Sequence, residues 1–221
     1  MQALLFDLDG TLIDSLEDLA DAVNAMLTEH GHPTRPLSLF PQYIGEGVRI
    51  LVERALPEGS RSEAEVDACT VDYQKQYASR WHNKTKPYAG MVETLAGLKA
   101  QGVKIAVLSN KPDHFTQLCC AHFFAAGTFD FVLGAREHVP RKPHPAGALE
   151  IAAHLGLAPG DCAYVGDSGL DMEMARAAKM LAIGVKWGFR GEQELLENGA
   201  QHLVSHPEEL LQFASHEVEV V

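Results

Sequence analysis

Positive charge is scarce in this sequence. Its 221 residues include 18 Lys and Arg against 30 Asp and Glu, which gives a formal net charge of -12. A surface of that sign repels nucleic acid and anionic membranes, so neither is expected as a partner. No apolar run approaches the length of a membrane-spanning helix. A small anionic ligand would therefore depend on a few well-placed cations.

Cysteine is equally sparse. The four cysteines show no CxxC spacing, and the adjacent pair Cys119 and Cys120 is poorly suited to form a disulfide; the other two are Cys69 and Cys162. This usage is typical of free thiols in a reducing compartment. The N-terminus also lacks the basic start and apolar stretch of a signal peptide. We therefore expect a cytoplasmic protein.

Short apolar, β-branched-rich runs recur along the chain, and most are followed by a helix-like stretch. They predict strands at 2–7, 103–109, 129–134, 161–166, 181–185 and 201–205. Strands alternating with helices predict an α/β fold, a doubly wound parallel sheet covered on both faces. Ligands of such sheets bind at the carboxyl ends of the strands.

One long segment breaks this alternation. Residues 8–102 contain no convincing strand, and helical spacing of apolar residues predicts helices at 16–30, 46–56 and 62–80. Ser15 and Asp18 resemble a capping box at the start of the first of these helices.

The predicted elements divide the chain into two parts. We expect a Rossmann-like core formed by 1–14 and 84–221, with an inserted all-helical cap at 15–83. A further predicted helix, 91–100, resumes the core pattern.

Two carboxylates end the first predicted strand, in the stretch FDLDGTLIDS at 6–15. Asp7 and Asp9 share one face of a strand because residues i and i+2 do. One carboxylate can attack phosphorus, and a second can protonate the leaving group and later deprotonate water. The alternative is a loop with chance carboxylates, but Asp, Asp, Gly and Thr at fixed positions arise by chance in roughly one protein in several hundred of this size.

Two more carboxylates follow the predicted strand at 161–166. Asp167 and Asp171 lie in GDSGLDM, and oxygen ligands from several strand ends are what Mg²⁺ binds. The alternative for Asp167 is a helix N-cap.

Polar residues also follow the other predicted strands. Lys142, in RKPHP, is placed to hold a transferring phosphoryl group and to balance the carboxylates. Ser109 and Asn110 end the strand at 103–109, where a hydroxyl and backbone N–H groups suit phosphate oxygens. Taken alone, Lys142 indicates only a solvated surface charge, and Ser109 with Asn110 indicates only a turn.

The order DLDGT, LSN, the lysine of RKP and GDSxxxD resembles the haloacid dehalogenase superfamily of phosphatases. These motifs span residues 6–172, and the helical insert is similar to the family's C1-type cap. Stretches such as IGEGVRILVERAL at 44–56 and LSNKP most resemble the phosphoglycolate phosphatase-like members.

The resemblance implies a division of roles. Asp7 would be the nucleophile and Asp9 the general acid/base, with Lys142 stabilising the phosphoryl group. Mg²⁺ would be the cofactor, held by Asp7, Asp167 and the backbone carbonyl of Asp9 and supported by Asp171. The candidates for phosphate binding are Gly10, Thr11, Ser109 and Asn110.

We expect the residues that select the substrate to lie in the predicted cap, 15–83. Gly45-Glu46-Gly47 at a predicted helix start exposes N–H groups to an anion, and Arg49 is a candidate to pair a substrate carboxylate or second phosphate. The alternative for Arg49 is a helix-surface charge. Tyr43 is a weaker candidate. The eleven histidines, among them His30 and His32, show no ligand spacing.

Several other functions remain open. A β-phosphoglucomutase-type mutase is disfavoured because Gly166 stands where those enzymes carry Glu. The sequence hardly distinguishes a pyrophosphatase from a phosphomonoesterase. Asp9 argues against a dehalogenase, and the lack of any lysine before Lys75 argues against a phosphonate hydrolase. A non-enzymatic phosphate-binding module is the alternative from another class.

The expected partner is a small phosphorylated metabolite, and the protein is expected to be a monomer or homodimer. The C-terminal ASHEVEVV at 214–221 is either a loose tail or a pairing segment.

Overall fold

A six-stranded parallel sheet forms the centre of the computed structural model, which describes residues 1–214. In chain order the strands are β1 (Ala3–Phe6), β2 (Ile13–Asp14), β3 (Lys86–Pro87), β4 (Lys104–Pro112), β5 (Phe131–Ala135), β6 (Cys162–Gly166), β7 (Leu181–Val185) and β8 (His202–Val204). The large sheet has the order β5-β4-β1-β6-β7-β8, and β2 and β3 form a separate antiparallel pair.

The helices form two groups, and one of these groups covers both faces of the sheet. In chain order the helices are α1 (Leu16–Glu29), α2 (Phe40–Tyr43), α3 (Val48–Ala55), α4 (Glu63–Ala78), α5 (Met91–Ala100), α6 (Asp113–Phe123), α7 (Ala146–Leu155), α8 (Gly169–Ala177) and α9 (Glu192–Glu197). Short 3₁₀ turns occur at Leu37–Leu39, Glu58–Ser60, Pro159–Asp161 and Pro207–Phe213. Helices α5 and α6 pack on one face, and α7 and α8 pack on the other. The predicted doubly wound α/β fold is confirmed.

The central strand β1 shows why these residues form a sheet. Leu4 and Phe6 belong to the hydrophobic cluster on one face, and Ala3 and Leu5 belong to the cluster on the other. All four are 0% exposed. A parallel strand buried on both faces reads as a continuous apolar run, which is the pattern that precedes Asp7.

The helices α1 to α4, between β2 and β3, share a third hydrophobic cluster that includes Val23, Met26, Val52 and Tyr73. These four helices are called the helical unit below. Its chain connections to the sheet run through the β2–β3 pair, where Ile13 lies opposite Pro87 and Asp14 opposite Lys86. No sequence pattern indicated this pair, because each strand is only two residues long.

The predicted capping box at the start of α1 is wrong. The Ser15 hydroxyl donates to Asp9 Oδ1 at 2.6 Å instead of capping the helix. Buried Asp18 accepts hydrogen bonds from the backbone N–H groups of Lys84 and Thr85 and from the Thr85 hydroxyl, at 2.9, 2.8 and 2.7 Å. Both side chains serve tertiary partners, because this helix begins where the chain leaves the sheet.

Two element boundaries differ from those that the sequence predicts. Strand β4 continues to Pro112 rather than ending at 109, with a shift of its register against β5 after Leu108. Helix α3 begins at Val48 rather than 46, because Gly45 and Gly47 have φ angles of +121° and +96°, which no helix accepts.

Within residues 1–214, no helix is long and apolar enough to cross a membrane. All four cysteines are free thiols, as predicted, and all four are buried. Residues 215–221, which hold nearly all of the suggested C-terminal tail, lie outside the described residues.

Candidate active site

The candidate site lies at the carboxyl end of the sheet. Strand β1 is flanked by β4 and β6 in parallel register, so the residues of all three segments that are level with the carboxyl end of β1 meet at one edge. The structure thereby brings Asp7, Ser109 and Asp167 to the same place. The loop after β5 adds Lys142.

Asp7 is a buried carboxylate with a defined orientation. Its Oδ1 accepts from the Leu8 N–H at 2.7 Å and lies 2.8 Å from Lys142 Nζ. Burial raises the pKa of Asp7 to about 7, against the opposing effect of the Lys142 charge. Further positive charge is therefore needed to keep Asp7 fully ionised at neutral pH.

Lys142 links two of the acids. Its Nζ lies 2.7 Å from Asp171 Oδ1 as well as 2.8 Å from Asp7, and it donates to the Tyr164 hydroxyl at 3.0 Å. Tyr164 in turn donates to the Leu108 carbonyl at 2.7 Å. Burial lowers the pKa of Lys142, but the charges of Asp171 and Asp7 outweigh that effect and raise it well above its ordinary value. The lysine is therefore a fixed cation.

Asn110 holds the loop that carries this lysine. Its Oδ1 accepts from the Lys142 N–H at 2.9 Å, and its amide nitrogen donates to the carbonyls of Lys142 and Gly45 at 3.1 and 2.9 Å. Ser109 is buried, and its hydroxyl accepts from the Lys111 N–H at 3.2 Å. In this arrangement Asn110 positions other groups, while Ser109 lies on the wall of the cleft.

Three buried carboxylates form an acidic cluster beside Lys142. Asp7, Asp167 and Asp171 each offer an oxygen within 4.8 Å of the others. Burial, followed by the charges of Asp171 and Asp7, raises the pKa of Asp167 well above its ordinary value. One lysine leaves this cluster with excess negative charge, and an all-oxygen donor set is the type that Mg²⁺ prefers. The residues present therefore fit a divalent cation.

The backbone leaves room for the Asp167 carboxylate. A Cβ atom on Gly10 would lie 2.3 Å from Asp167 Oδ2, and one on Gly188 would lie 2.2 Å from Asp167 Cβ. Gly10 also has a φ angle of +86°. The carboxylate itself accepts from the Phe189 N–H at 2.7 Å and from the Thr11 hydroxyl at 3.2 Å. Both glycines are therefore required by close approach to an acidic group.

Asp171 and Asp167 differ in their surroundings. Asp171 Oδ2 accepts from the N–H and hydroxyl of Ser168 at 3.1 and 2.6 Å, so Ser168 and Asp171 form the capping box of α8. The N-cap alternative for Asp167 does not apply, because Ser168 occupies that position. With Oδ1 on Lys142, both Asp171 oxygens already have partners.

Sequence reasoning gave no role to Lys111, yet it faces Asp9. Its Nζ lies 2.9 and 3.0 Å from the two Asp9 oxygens and 4.7 Å from the centre of the Tyr77 ring. The Lys111 side chain is only 5% exposed. The lysine was visible in LSNKP, but nothing local connects it to an aspartate 102 residues earlier.

A cleft of about 580 Å³, including its open mouth, extends from Asp7 and Asp9 toward the helical unit. Beyond Ser109, Asn110 and Lys111, its lining is mainly apolar or aromatic: Leu19, Ile44, Val48, Leu51, Tyr73, Tyr77 and Phe115. Lys111 is the cation among the described lining residues.

Arg49 is not brought to this cleft. Its Nε lies 3.1 Å from Asp67 Oδ1, and its side chain is 43% exposed. Val48 and Leu51 line the cleft, and one residue along a helix turns the side chain by about 100°. Other arginines do reach the 44–47 loop. Arg190 donates to the Ile44 carbonyl at 3.1 Å, Arg141 lies against Gly47, and Arg54 pairs with the Glu46 carboxylate.

Comparison with known proteins identifies the family of this chain. The sequence profile of the haloacid dehalogenase-like hydrolases matches residues 1–179. A phosphoglycolate phosphatase of Psychrobacter arcticus is 38% identical over 200 residues, which is 88% of this chain and 87% of that protein. Phosphoglycolate phosphatase 1 of Pseudomonas aeruginosa is 33% identical over 222 aligned residues, covering 99% of this chain and 81% of that protein.

Among solved structures, a proposed phosphoglycolate phosphatase from Lactobacillus delbrueckii subsp. bulgaricus superimposes with a TM-score of 0.91 at 32% identity. That match covers 98% of this chain and 99% of the other.

Proposed function

This chain belongs to the haloacid dehalogenase-like hydrolases, and from that membership we propose that it is a Mg²⁺-dependent phosphomonoesterase that works through an aspartyl-phosphate. The observation that carries the proposal is that Asp7 and Asp9 both line the cleft, with Lys142 Nζ 2.8 Å from Asp7 Oδ1. A nucleophile, a fixed cation and a second acid are thus present together.

Asp7 is the proposed nucleophile. Its carboxylate attacks the substrate phosphorus, the ester oxygen leaves, and water then hydrolyses the aspartyl-phosphate to restore Asp7. Lys142 stabilises the negative charge that develops on the phosphoryl oxygens. Its contacts with Asp171 and Tyr164 hold it in place before substrate arrives.

Asp9 is the proposed general acid/base. It protonates the leaving oxygen in the first step and takes a proton from water in the second. Lys111 and Ser15 orient its carboxylate beside the cleft.

Asp7, Asp167 and Asp171, with the carbonyl of Asp9, are the proposed residues for Mg²⁺. Asp171 acts mainly through Lys142, since both its oxygens already have partners. The cation supplies positive charge that favours the ionised form of Asp7 and offsets repulsion between the acids and a phosphate. Its fit rests on the excess of buried carboxylates.

Residues 15–83 are proposed to act as a cap that closes over the cleft. Asn110 and Arg190 of the core bond to the carbonyls of Gly45 and Ile44, so the helical unit touches the site through this loop. Closure would exclude water that competes with the substrate.

The proposed substrate is 2-phosphoglycolate or a similar small phosphomonoester, because the relatives described above carry that name. The apolar lining of the cleft favours a second candidate class, in which the leaving group is larger and aromatic or aliphatic. A small charged substrate would not use the apolar surface formed by Val48, Leu51 and Phe115, whereas a larger apolar leaving group would pack against it.

Phosphate release from a panel of substrates tests the proposal. The panel contains 2-phosphoglycolate, phenyl phosphate, β-glucose 1-phosphate, pyrophosphate and several nucleotides, each with Mg²⁺ and with EDTA. Hydrolysis that requires Mg²⁺ supports the reaction, and the ranking identifies the substrate class. Conversion of β-glucose 1-phosphate without phosphate release would point to the mutase instead.

Asp7→Asn tests the nucleophile. We expect kcat to fall on the order of 10⁴-fold or more, because the reacting carboxylate is lost. Asp161→Asn, at the opposite end of the sheet before β6, is the matched control and should retain activity. Equal activity of Asp7→Asn and wild type, with both folded by circular dichroism, would exclude the mechanism.

A further inference from the structure

A second group of metal-binding side chains lies on the helical unit, apart from the cleft. His30 and His32 follow the end of α1, and Glu65, Cys69 and Asp72 project from α4. The three α4 residues are spaced four and three apart, so they share one face of that helix. None of these five residues lines the cleft.

The contacts around Glu65 are too long for strong hydrogen bonds. Its Oε1 lies 3.7 Å from His30 Nδ1, 3.3 Å from His32 Nε2 and 3.9 Å from Cys69 Sγ. Good hydrogen bonds between nitrogen and oxygen are about 2.7–3.2 Å long. One carboxylate oxygen is thus surrounded by three donor atoms that it does not bind closely.

The same distances suit a shared ion. A tetrahedral metal with bonds of about 2.0–2.3 Å separates its ligand atoms by about 3.3–3.6 Å. The ligand atoms of His30, Glu65 and Cys69 all lie within 4.8 Å of one another. The distances from Glu65 Oε1 to His30 Nδ1 and to Cys69 Sγ, 3.7 and 3.9 Å, exceed this separation by only a few tenths of an ångström.

The His30 ring has the orientation of a metal ligand. Its Nε2 lies 3.0 Å from Asp72 Oδ2, and Lys75 holds the other Asp72 oxygen at 2.7 Å. With the ring proton on Nε2, the Nδ1 lone pair faces Glu65. A carboxylate that holds the far nitrogen is the usual support of a zinc-bound histidine, and it fixes both tautomer and ring angle.

We propose that His30 Nδ1, Glu65 and Cys69 form a Zn²⁺ site on the helical unit, with Asp72 supporting His30 and His32 adjacent to the ligands. Imidazole and thiolate favour Zn²⁺ over Mg²⁺. The site is therefore chemically distinct from the all-oxygen cluster of Asp7, Asp167 and Asp171.

Binding has two consequences. Burial and the Glu65 carboxylate raise the pKa of the Cys69 thiol to about 11, so the free site holds a proton that Zn²⁺ displaces to solvent. The bound ion also joins the end of α1 to α4, because His30 directly follows α1 and Cys69 lies on α4. It should stabilise the helical unit.

Co²⁺ is the probe for this site, used on the full-length protein in saturating Mg²⁺ with a non-thiol reductant. Wild type should develop the thiolate-to-cobalt charge-transfer absorption at one equivalent, and Zn²⁺ should abolish it and raise the thermal unfolding midpoint. Cys69→Ser and His30→Gln should lose the absorption and the Zn²⁺-dependent shift. Asp72→Asn should weaken Co²⁺ binding about 10–100-fold.

Cys162→Ser, which removes another buried thiol, is the matched control and should behave as wild type. Mg²⁺-dependent phosphate release should be unchanged in Cys69→Ser, so failure of the zinc site and failure of the proposed reaction are separable. Absence of the absorption in wild type, or its persistence in Cys69→Ser, would overturn the proposal.

Discussion

Lys111 places a buried positive charge directly on Asp9. The two-point contact at 2.9 and 3.0 Å fixes the carboxylate plane, and the cost of burying the lysine is offset by that pairing and by the Tyr77 ring. Burial lowers the pKa of Lys111, but Asp9, together with Tyr77, Cys119 and Tyr73, outweighs burial and raises it well above its ordinary value. Asp9 is thereby held beside the cleft with a permanent cation as its partner.

Lys111→Met should therefore impair proton transfer more than binding. We expect kcat to fall about 10²-fold with a smaller change in KM, because Asp9 loses its orientation. The measurement is steady-state phosphate release across pH. Lys99→Met is the control, since Lys99 pairs with Asp130 at a more exposed position. A change confined to KM would assign Lys111 to substrate binding instead.

The difference between Lys111 and Arg49 shows what sequence can predict for single residues. The DLDGT spacing predicted Asp7 and Asp9 as candidates because both come directly after one strand, β1. Lys111 depends on a contact across the sheet, and Arg49 depends on the helical phase of α3, which is set by a start at Val48. The residues next to Lys111 and Arg49 in the sequence therefore predict neither the contact nor the helical phase.

At the scale of elements, the loop after β7 packs against the acidic cluster, and Gly188 is the residue of this loop that lies against Asp167. Its missing side chain allows the Gly10 carbonyl and Asp167 to approach, since a Cβ would lie 2.5 and 2.2 Å from them. For Gly191, three residues further on, no atom of residues 1–214 other than those of its chain neighbours lies within 4 Å of the Cβ position.

Gly188→Ala should displace Asp167. We expect activity to fall about 10²-fold and the Mg²⁺ concentration for half-maximal rate to rise, because a shift of about 1 Å in a positioned group costs that much. Gly191→Ala should match wild type. The measurement is the rate of phosphate release by both variants as a function of Mg²⁺ concentration. An unchanged Mg²⁺ requirement in folded Gly188→Ala would remove Asp167 from the metal site.

Asp18 joins α1 to the segment that returns to the sheet. It is 1% exposed and accepts from Lys84 and Thr85, so its carboxylate satisfies two backbone N–H groups. Asp18→Asn turns an amide donor toward some of those donors, and we expect the free energy of unfolding to fall by roughly 1–3 kcal/mol.

Urea denaturation measures that loss. Asp21→Asn, on the same helix but 48% exposed and paired with the Lys84 ammonium, should change stability by no more than about 1 kcal/mol. Equal effects of the two substitutions would mean that Asp18 does not anchor the helical unit.

The elements themselves were largely predictable. The strand at 181–185 and the helix at 91–100 have the predicted bounds, because apolar runs and helical spacing are local properties. The β2–β3 pair and the continuation of β4 to Pro112 were not predictable, since both depend on neighbouring chain segments rather than on residue type.

At the scale of the whole molecule, folding must bury carboxylates that would be ionised in water. Burial raises the pKa of Asp7 to about 7 in the folded protein, whereas an aspartate in the unfolded chain titrates at about 3.9. Burial shifts Asp167 in the same direction. Between those pH values the folded state holds protons that the unfolded state has released.

The metal-free protein should therefore lose stability as pH rises from about 4 to about 7, because the free energy of unfolding falls wherever the folded state binds more protons. A bound divalent cation replaces those protons. Mg²⁺ should then raise the thermal midpoint more at about pH 8 than at about pH 5. Midpoints recorded in EDTA and in Mg²⁺ across this range test the expectation, and Asp7→Asn should show a shallower decline in EDTA than Asp161→Asn. Parallel curves with and without Mg²⁺ would mean that the acidic cluster does not couple cation binding to folding.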